Sequence, residues 1–156
     1  MTTPPALSST FREQTMRIRV DADAVTAQGW ARRFAESCGF TTREQWEVAV
    51  AVSEAASNIV KFGAGGRVTL RFLAGERRLL EIEAVDWGPG IHDLAKAELD
   101  GVTEGRRRED GGDPRLFRGL GLGLGAIRRM TDELRIETSE RGGTRLVARK
   151  RLKPSR

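Results

Sequence analysis

Two periods of apolar and polar positions divide the chain into elements. Met16-Arg17-Ile18-Arg19-Val20 alternates and predicts a first or edge strand. Asp21 or Asp23 can cap a helix that follows to about Cys38, with Val25, Trp30, Phe34 and Ala35 as its expected core contacts and Gly39 at its C′ position. Two offset pairs, Thr41 with Glu44 and Thr42 with Gln45, have capping-box spacing and open the longest periodic segment, Glu44 to Phe62. That segment is apolar nearly all round. Its polar residues Glu47, Glu54, Asn58 and Lys61 follow one another at seven, four and three positions, so at about 100° per residue they share one narrow sector. Such a stripe on a buried helix is either its solvent edge or the floor of a site.

Gly63, Gly65 and Gly66 end this helix. Val68, Leu70 and Phe72 alternate with Arg67, Thr69 and Arg71, and Leu80, Ile82 and Ala84 alternate with Glu81 and Glu83. These predict two strands joined through Ala74-Gly75-Glu76-Arg77. The second strand runs into Asp86-Trp87-Gly88-Pro89-Gly90, where regular structure stops. Ile91 to Leu99 has the pattern of a short helix, and 101–118 is a polar loop carrying five arginines. Glycine then alternates with leucine from Gly119 to Gly125 and leads into a helix from Ala126 to about Glu133. Leu134 to Thr138 and Thr144 to Arg149 predict a closing hairpin. The order β-α-α-β-β-α-α-β-β implies an α+β fold, a two-layer sandwich rather than a doubly wound parallel sheet.

Length and charge narrow the classes. A chain of 156 residues suits one domain, here expected at 15–152 behind a flexible Thr/Pro/Ser-rich tail at 1–14. Twenty-seven basic against 22 acidic residues give +5, a modest excess with no polybasic arm, which argues against a nucleic-acid partner. No segment approaches the roughly 18 apolar residues of a membrane span, and the tail lacks the apolar core of a signal peptide, so a cytoplasmic protein is expected. The single cysteine, Cys38, is expected as a small core residue, and the single histidine, His92, has no histidine partners for a zinc site or a triad.

Three stretches carry candidate chemistry. The glycine run would expose backbone N–H groups at a helix N-terminus, a phosphate-binding arrangement, or else serve as a hinge feeding a core helix. Asp86 could accept from an exocyclic amine, with Gly88 and Gly90 letting a flat ring approach the backbone, or simply form a turn. Trp87 beside it is either exposed or a wedge of core. Asn58 offers a neutral oxygen suited to Mg²⁺ held mainly by phosphates and water, and Glu54 one helical turn earlier could take a proton from an attacking hydroxyl.

In this order and spacing, Glu54-x-x-x-Asn58, Asp86-x-Gly88-x-Gly90, Gly119-Leu-Gly-Leu-Gly123 and Gly143-Thr144 resemble the GHKL (Bergerat) ATP-binding fold. Within it the chain is most similar to the small anti-sigma-factor serine/threonine kinases of the RsbT switch type, through Val52-Ser-Glu-Ala-Ala-Ser-Asn-Ile59 and Gly121 to Leu134. The resemblance implies a mixed, mostly antiparallel sheet covered on one face by helices, with an ATP lid at about 100–120. It implies ATP and Mg²⁺ as cofactors, Glu54 as general base, Asn58 as metal ligand and Asp86 on the adenine amine. Gly88 and Gly90 would shape the adenine pocket, Gly119, Gly121 and Gly123 would wrap the phosphates, and Thr144 would support the adenine side through water. The implied activity is phosphorylation of Ser or Thr on a STAS-domain antagonist protein in a partner-switching stress or sigma-factor pathway. Relatives also activate a PPM-type phosphatase or sequester a sigma factor, so a nucleotide-gated binding module is the alternative reading; the oligomeric state stays open. Phe62 stands where relatives commonly carry His or Tyr. Arg106, Arg107, Arg108, Arg115 and Arg118 belong either to a closing lid or to a solvated loop.

Overall fold

The computed structural model describes residues 11–62, 64–88, 123–138 and 142–154. Within them lie β1 (Phe11–Ile18), α1 (Asp21–Ser37), α2 (Thr42–Phe62), β2 (Gly66–Leu73), β3 (Leu79–Asp86), α3 (123–130), β4 (Glu133–Thr138) and β5 (Thr144–Arg151). The strands form one sheet in the order β1-β2-β3-β5-β4, and all four pairings are antiparallel. The expected α+β two-layer sandwich is the observed fold. The short helix expected over Ile91 to Leu99 and the Arg-rich loop at 101–118 lie outside the described residues.

Local chemistry sets the helix ends. At the start of α2 the Thr41 N–H donates to Glu44 Oε2 (3.0 Å) while the Glu44 N–H donates to Thr41 Oγ1 (3.3 Å), a reciprocal box. Thr42 and Gln45 do not form the competing one; the buried Gln45 amide instead donates to the Phe40 carbonyl at 2.8 Å. Asp23, not Asp21, secures α1 by accepting from the Arg19 and Val20 N–H groups at 2.8 and 3.0 Å. Those two bonds hold its carboxyl below the usual carboxylate range. Gly39, at φ +91°, lets Phe40 N–H reach Ala35 O (3.2 Å) and its own N–H reach Glu36 O (3.0 Å), closing a Schellman motif.

Three elements differ from the pattern reading. β1 begins at Phe11 rather than Met16, pairing along its whole length with β2. Val25 is 72% exposed, whereas Ala24, Ala27, Ala31, Phe34 and Ala35 form the buried stripe of α1. Small residues make that stripe because α1 packs closely on α2, and size hides it from a hydrophobicity scan. The last helix is already formed at Gly123, three residues before its expected start, and buries Leu124 and Ile127.

The core lies between the helices and one face of the sheet, where Ile18, Val68, Leu70, Leu80, Ile82, Leu146 and Ala148 meet Val48, Val52, Ala55 and Ile59 of α2. The other face carries cross-strand ion pairs. Arg71 reaches Glu13 (2.7 Å), Glu81 (3.2 Å) and Glu83 (3.1 Å); Arg145 reaches Glu83 (2.7 Å) and Glu137 (3.3 Å); Arg149 reaches Glu81 (2.9 Å) and Glu133 (3.5 Å). Alternation would put Glu81 and Glu83 in water, yet they are 8% and 7% exposed beneath these guanidinium groups. Burial alone would raise the Glu83 carboxyl, but the bonds from Arg145 and Arg71 outweigh it and hold it low. A carboxylate depressed in the folded state contributes stability above its unfolded pKa and loses it as pH falls through the folded value. Glu83→Gln is therefore expected to flatten the acid limb of a stability-versus-pH profile followed by urea unfolding; an unchanged acid limb would refute that role.

One glycine has no substitute. Gly66 pairs with Ile18 on one side and Asp86 on the other, and a Cβ there would sit 2.0 Å from the Val85 carbonyl oxygen and 2.9 Å from Asp86 Cα. Relief requires the ends of β2 and β3 to separate. Gly66→Ala is expected to cost about 3 kcal/mol, the upper range for overpacking. A urea midpoint equal to that of the parent chain would contradict this.

Candidate active site

Asn58 lies about one turn before the end of α2, on the stripe that also holds Glu47 and Glu54. It is 6% exposed, and neither its amide nitrogen nor its carbonyl oxygen has a hydrogen-bond partner. Buried polar groups are nearly always paired, and each one left unpaired costs about 1–3 kcal/mol. Among the described residues only Arg32 Nε shares this condition, and its guanidinium lies over the Trp46 ring at 4.6 Å. Asn58 has no such cover. It is buried rather than on a solvent edge, and its open donor and acceptor make it a candidate for the floor of a site.

Gly123 closes on that floor. A Cβ at this position would lie 3.0 Å from Glu54 Oε2, 3.5 Å from Asn58 Oδ1 and 3.7 Å from Asn58 Nδ2. The fold thus brings the expected base, the expected metal ligand and one expected phosphate-loop glycine into van der Waals reach of one another. A Cβ at 123 would crowd the Glu54 carboxylate and touch the Asn58 amide. A neutral amide oxygen beside a carboxylate suits a hard, hydrated cation whose remaining ligands are phosphate oxygens. The start of α3 adds the positive end of a helix dipole.

The other end of α3 is fixed by a residue that periodicity gives no sign of. Lys150, 9% exposed, donates from Nζ to Glu47 Oε2 at 2.6 Å and to the carbonyl of Met130 at 3.0 Å. It takes one position of a strand that reads as an ordinary alternating one, and only the three-dimensional approach of α2 reveals its role. Burial would raise the Glu47 carboxyl, but Lys150 and Arg43 together hold it low.

A second grouping sits at the end of the sheet. Asp86 terminates β3 on the helix-facing side, following Leu80, Ile82 and Ala84, and is 5% exposed. Its Oδ1 accepts the Gly88 N–H at 2.9 Å, so the turn beyond the strand is folded onto the carboxylate. Turn former and pocket carboxylate are thus compatible roles. The β3–β5 register, which pairs Val85 with Arg145, places Thr144 across from Asp86 at its next step, and Thr144 is buried at 4% exposure. Trp87 points the other way and is 50% exposed, which settles it as a surface residue. Gly90, Gly119 and Gly121 lie outside the described residues, as do His92 and the arginines of the loop. Phe62 packs against the core, and Cys38 is half-buried there with its thiol pushed up by burial. Among the described residues no helix is long and apolar enough to cross a membrane.

Comparison with known proteins agrees with this geometry. The histidine kinase-like ATPase domain family matches residues 18–150. The serine/threonine-protein kinase RsbT of Bacillus subtilis (strain 168) is 32% identical over 139 residues, 88% of this chain and 96% of the relative. The anti-sigma F factor of Clostridium novyi (strain NT) is 33% identical over 117 residues, 72% of this chain and 75% of the relative. With one sheet, its helices on one face and a match across nearly all of its length, the chain belongs to the histidine kinase-like ATPase domain family, in its RsbT-type anti-sigma kinase branch.

Proposed function

We propose that this protein is an ATP-dependent protein serine/threonine kinase of partner-switching type, whose substrate is a Ser or Thr of a STAS-domain antagonist protein. The observation that carries this reading is the unpartnered, buried amide of Asn58 set beside Glu54 and under Gly123. The relative named as a serine/threonine-protein kinase supports it.

Each residue then has one task. Asp86 accepts a hydrogen bond from the adenine amine, and Thr144 supports that side of the base. Gly88 holds the Asp86 carboxylate in place, and with Gly90 shapes the adenine pocket. The start of α3, with Gly119, Gly121 and Gly123, offers N–H donors to the phosphates. Asn58 Oδ1 would hold Mg²⁺, whose charge would neutralise that of the phosphates. Glu54 takes the proton of the partner's hydroxyl as its oxygen bonds to the γ-phosphorus and the bond to the β-phosphate oxygen breaks, releasing ADP.

The test is transfer from γ-labelled ATP, with Mg²⁺, to a STAS-domain protein encoded beside this chain. Label on a Ser or Thr of that protein is expected. Complex formation and ATP binding without any label would replace the kinase with a nucleotide-gated binding module, which holds a sigma factor or activates a PPM-type phosphatase; the anti-sigma relative makes that the competing outcome.

A further inference from the structure

The outer face of the sheet neutralises most of its arginines, leaving among the described residues Arg135 alone on the edge strand β4 and an adjacent pair at the opposite edge. Arg71, Arg145, Arg149 and Arg151 each reach at least one glutamate within 3.5 Å. Arg17 of β1 and Arg67 of β2 are direct cross-strand partners, both exposed, and neither reaches a carboxylate among the described residues. Like charges directly opposite on a sheet repel. The next position in that row, Val85 on β3, is uncharged. Arg17 instead lies over the ring of Trp87, 5.9 Å from its centroid, and Trp87 is half exposed.

We infer that Arg17, Arg67 and Trp87 form a docking spot for a short acidic segment of a protein partner, one that brings carboxylates to the two guanidinium groups and an apolar side chain to the indole. The charge distribution favours this occupant. A nucleic acid or an anionic membrane needs an extended run of cations, but Arg71, Arg145, Arg149 and Arg151 are bound to glutamates, and Arg135 stands apart on β4 at the opposite edge of the sheet. What stays available is two adjacent charges and one aromatic plate, the footprint of a few residues of acidic, amphipathic chain. The spot faces away from the helix layer, so it stands apart from the phosphate-binding side. Yet Trp87 follows Asp86 directly, which makes the end of β3 common to both. The inference needs neither ATP nor Glu54, so it can fail while the kinase reading stands, and the reverse.

The test is a titration of the whole protein, without nucleotide and at low salt, with the capped peptide Glu-Leu-Glu-Leu-Glu-Leu, followed by NMR at the Trp87 indole N–H and the Arg17 and Arg67 side chains. Saturable shifts at these groups are expected. The double variant Arg17→Gln/Arg67→Gln should weaken binding about tenfold, as loss of two exposed ion pairs implies, while melting at the parent temperature. Trp87→Ala should weaken it as well, and Arg43→Gln on the helical side should not. Absence of shifts, equal loss in Arg43→Gln, or stronger shifts at the same groups from a short duplex DNA or from phosphatidylserine vesicles would each overturn the inference.

Discussion

Glu54→Gln is expected to bind ATP with the affinity of the parent chain and to transfer phosphate on the order of 10²–10⁴-fold more slowly, the range for loss of a positioned general base. The substitution keeps the side-chain volume that Gly123 packs against, so the start of α3 stays where it is and nucleotide contacts survive. Only proton acceptance is removed. Binding is read by calorimetry and transfer by label on the partner protein, in the same preparation. Transfer within about tenfold of the parent would remove Glu54 as the base and leave positioning alone to account for catalysis. Loss of binding together with transfer would make Glu54 a nucleotide ligand instead.

The second large effect runs in opposite directions for stability and for binding. Asn58→Leu replaces a buried amide whose donor and acceptor are both unpartnered with an apolar side chain of similar size. The ligand-free protein should melt at or above the parent temperature, since a desolvation cost of about 1–3 kcal/mol is lifted. Mg²⁺-dependent ATP stabilisation should disappear. For the parent, ligand at about 100 times its dissociation constant adds about 2.7 kcal/mol, and the variant should show almost none of it. A variant that melts much lower would mean that Asn58 is a structural residue. A variant that keeps the full shift would remove it as the metal ligand.

Much of this was legible before the structure. The Thr41–Glu44 spacing, the glycine at 39 and the alternation on either side of 74–77 are local signals, each with a single geometric solution, and each gave the observed element. The polar stripe of α2 was legible as a choice between edge and site; Lys61 is exposed, while the burial of Asn58 takes that residue off the solvent edge. Other features arise from contacts between segments distant in the chain. Val25 fits a helical apolar period as well as Ala24 does, and only the close approach of α2 selects the small residue. Glu81 and Glu83 read as solvated positions because alternation says which face a side chain takes, not what covers that face; Arg71, Arg145 and Arg149 come from other strands. Lys150 looked like any polar residue of a final strand. The sequence pointed to Glu54, Asn58, Asp86 and Thr144 as candidates, but gave no sign of the parts of Lys150 and Gly66, which depend on neighbours across the sheet and on the helix above it.

The way α3 is held has a consequence for local opening. Its start rests on Glu54 and Asn58, and its last carbonyl is tied through Lys150 to Glu47, eleven residues before Asn58. The helix therefore runs antiparallel along α2, gripped at both ends. Its eight described residues amount to about two turns. Its persistence is borrowed from those two grips and from the burial of Leu124 and Ile127. The sheet does not depend on it, because each strand of β1-β2-β3-β5-β4 is paired without it. Amide exchange along α3 is thus governed by a small subglobal opening while β3 and β5 exchange only on global unfolding. Whatever fills the space at Asn58 draws those two rates together.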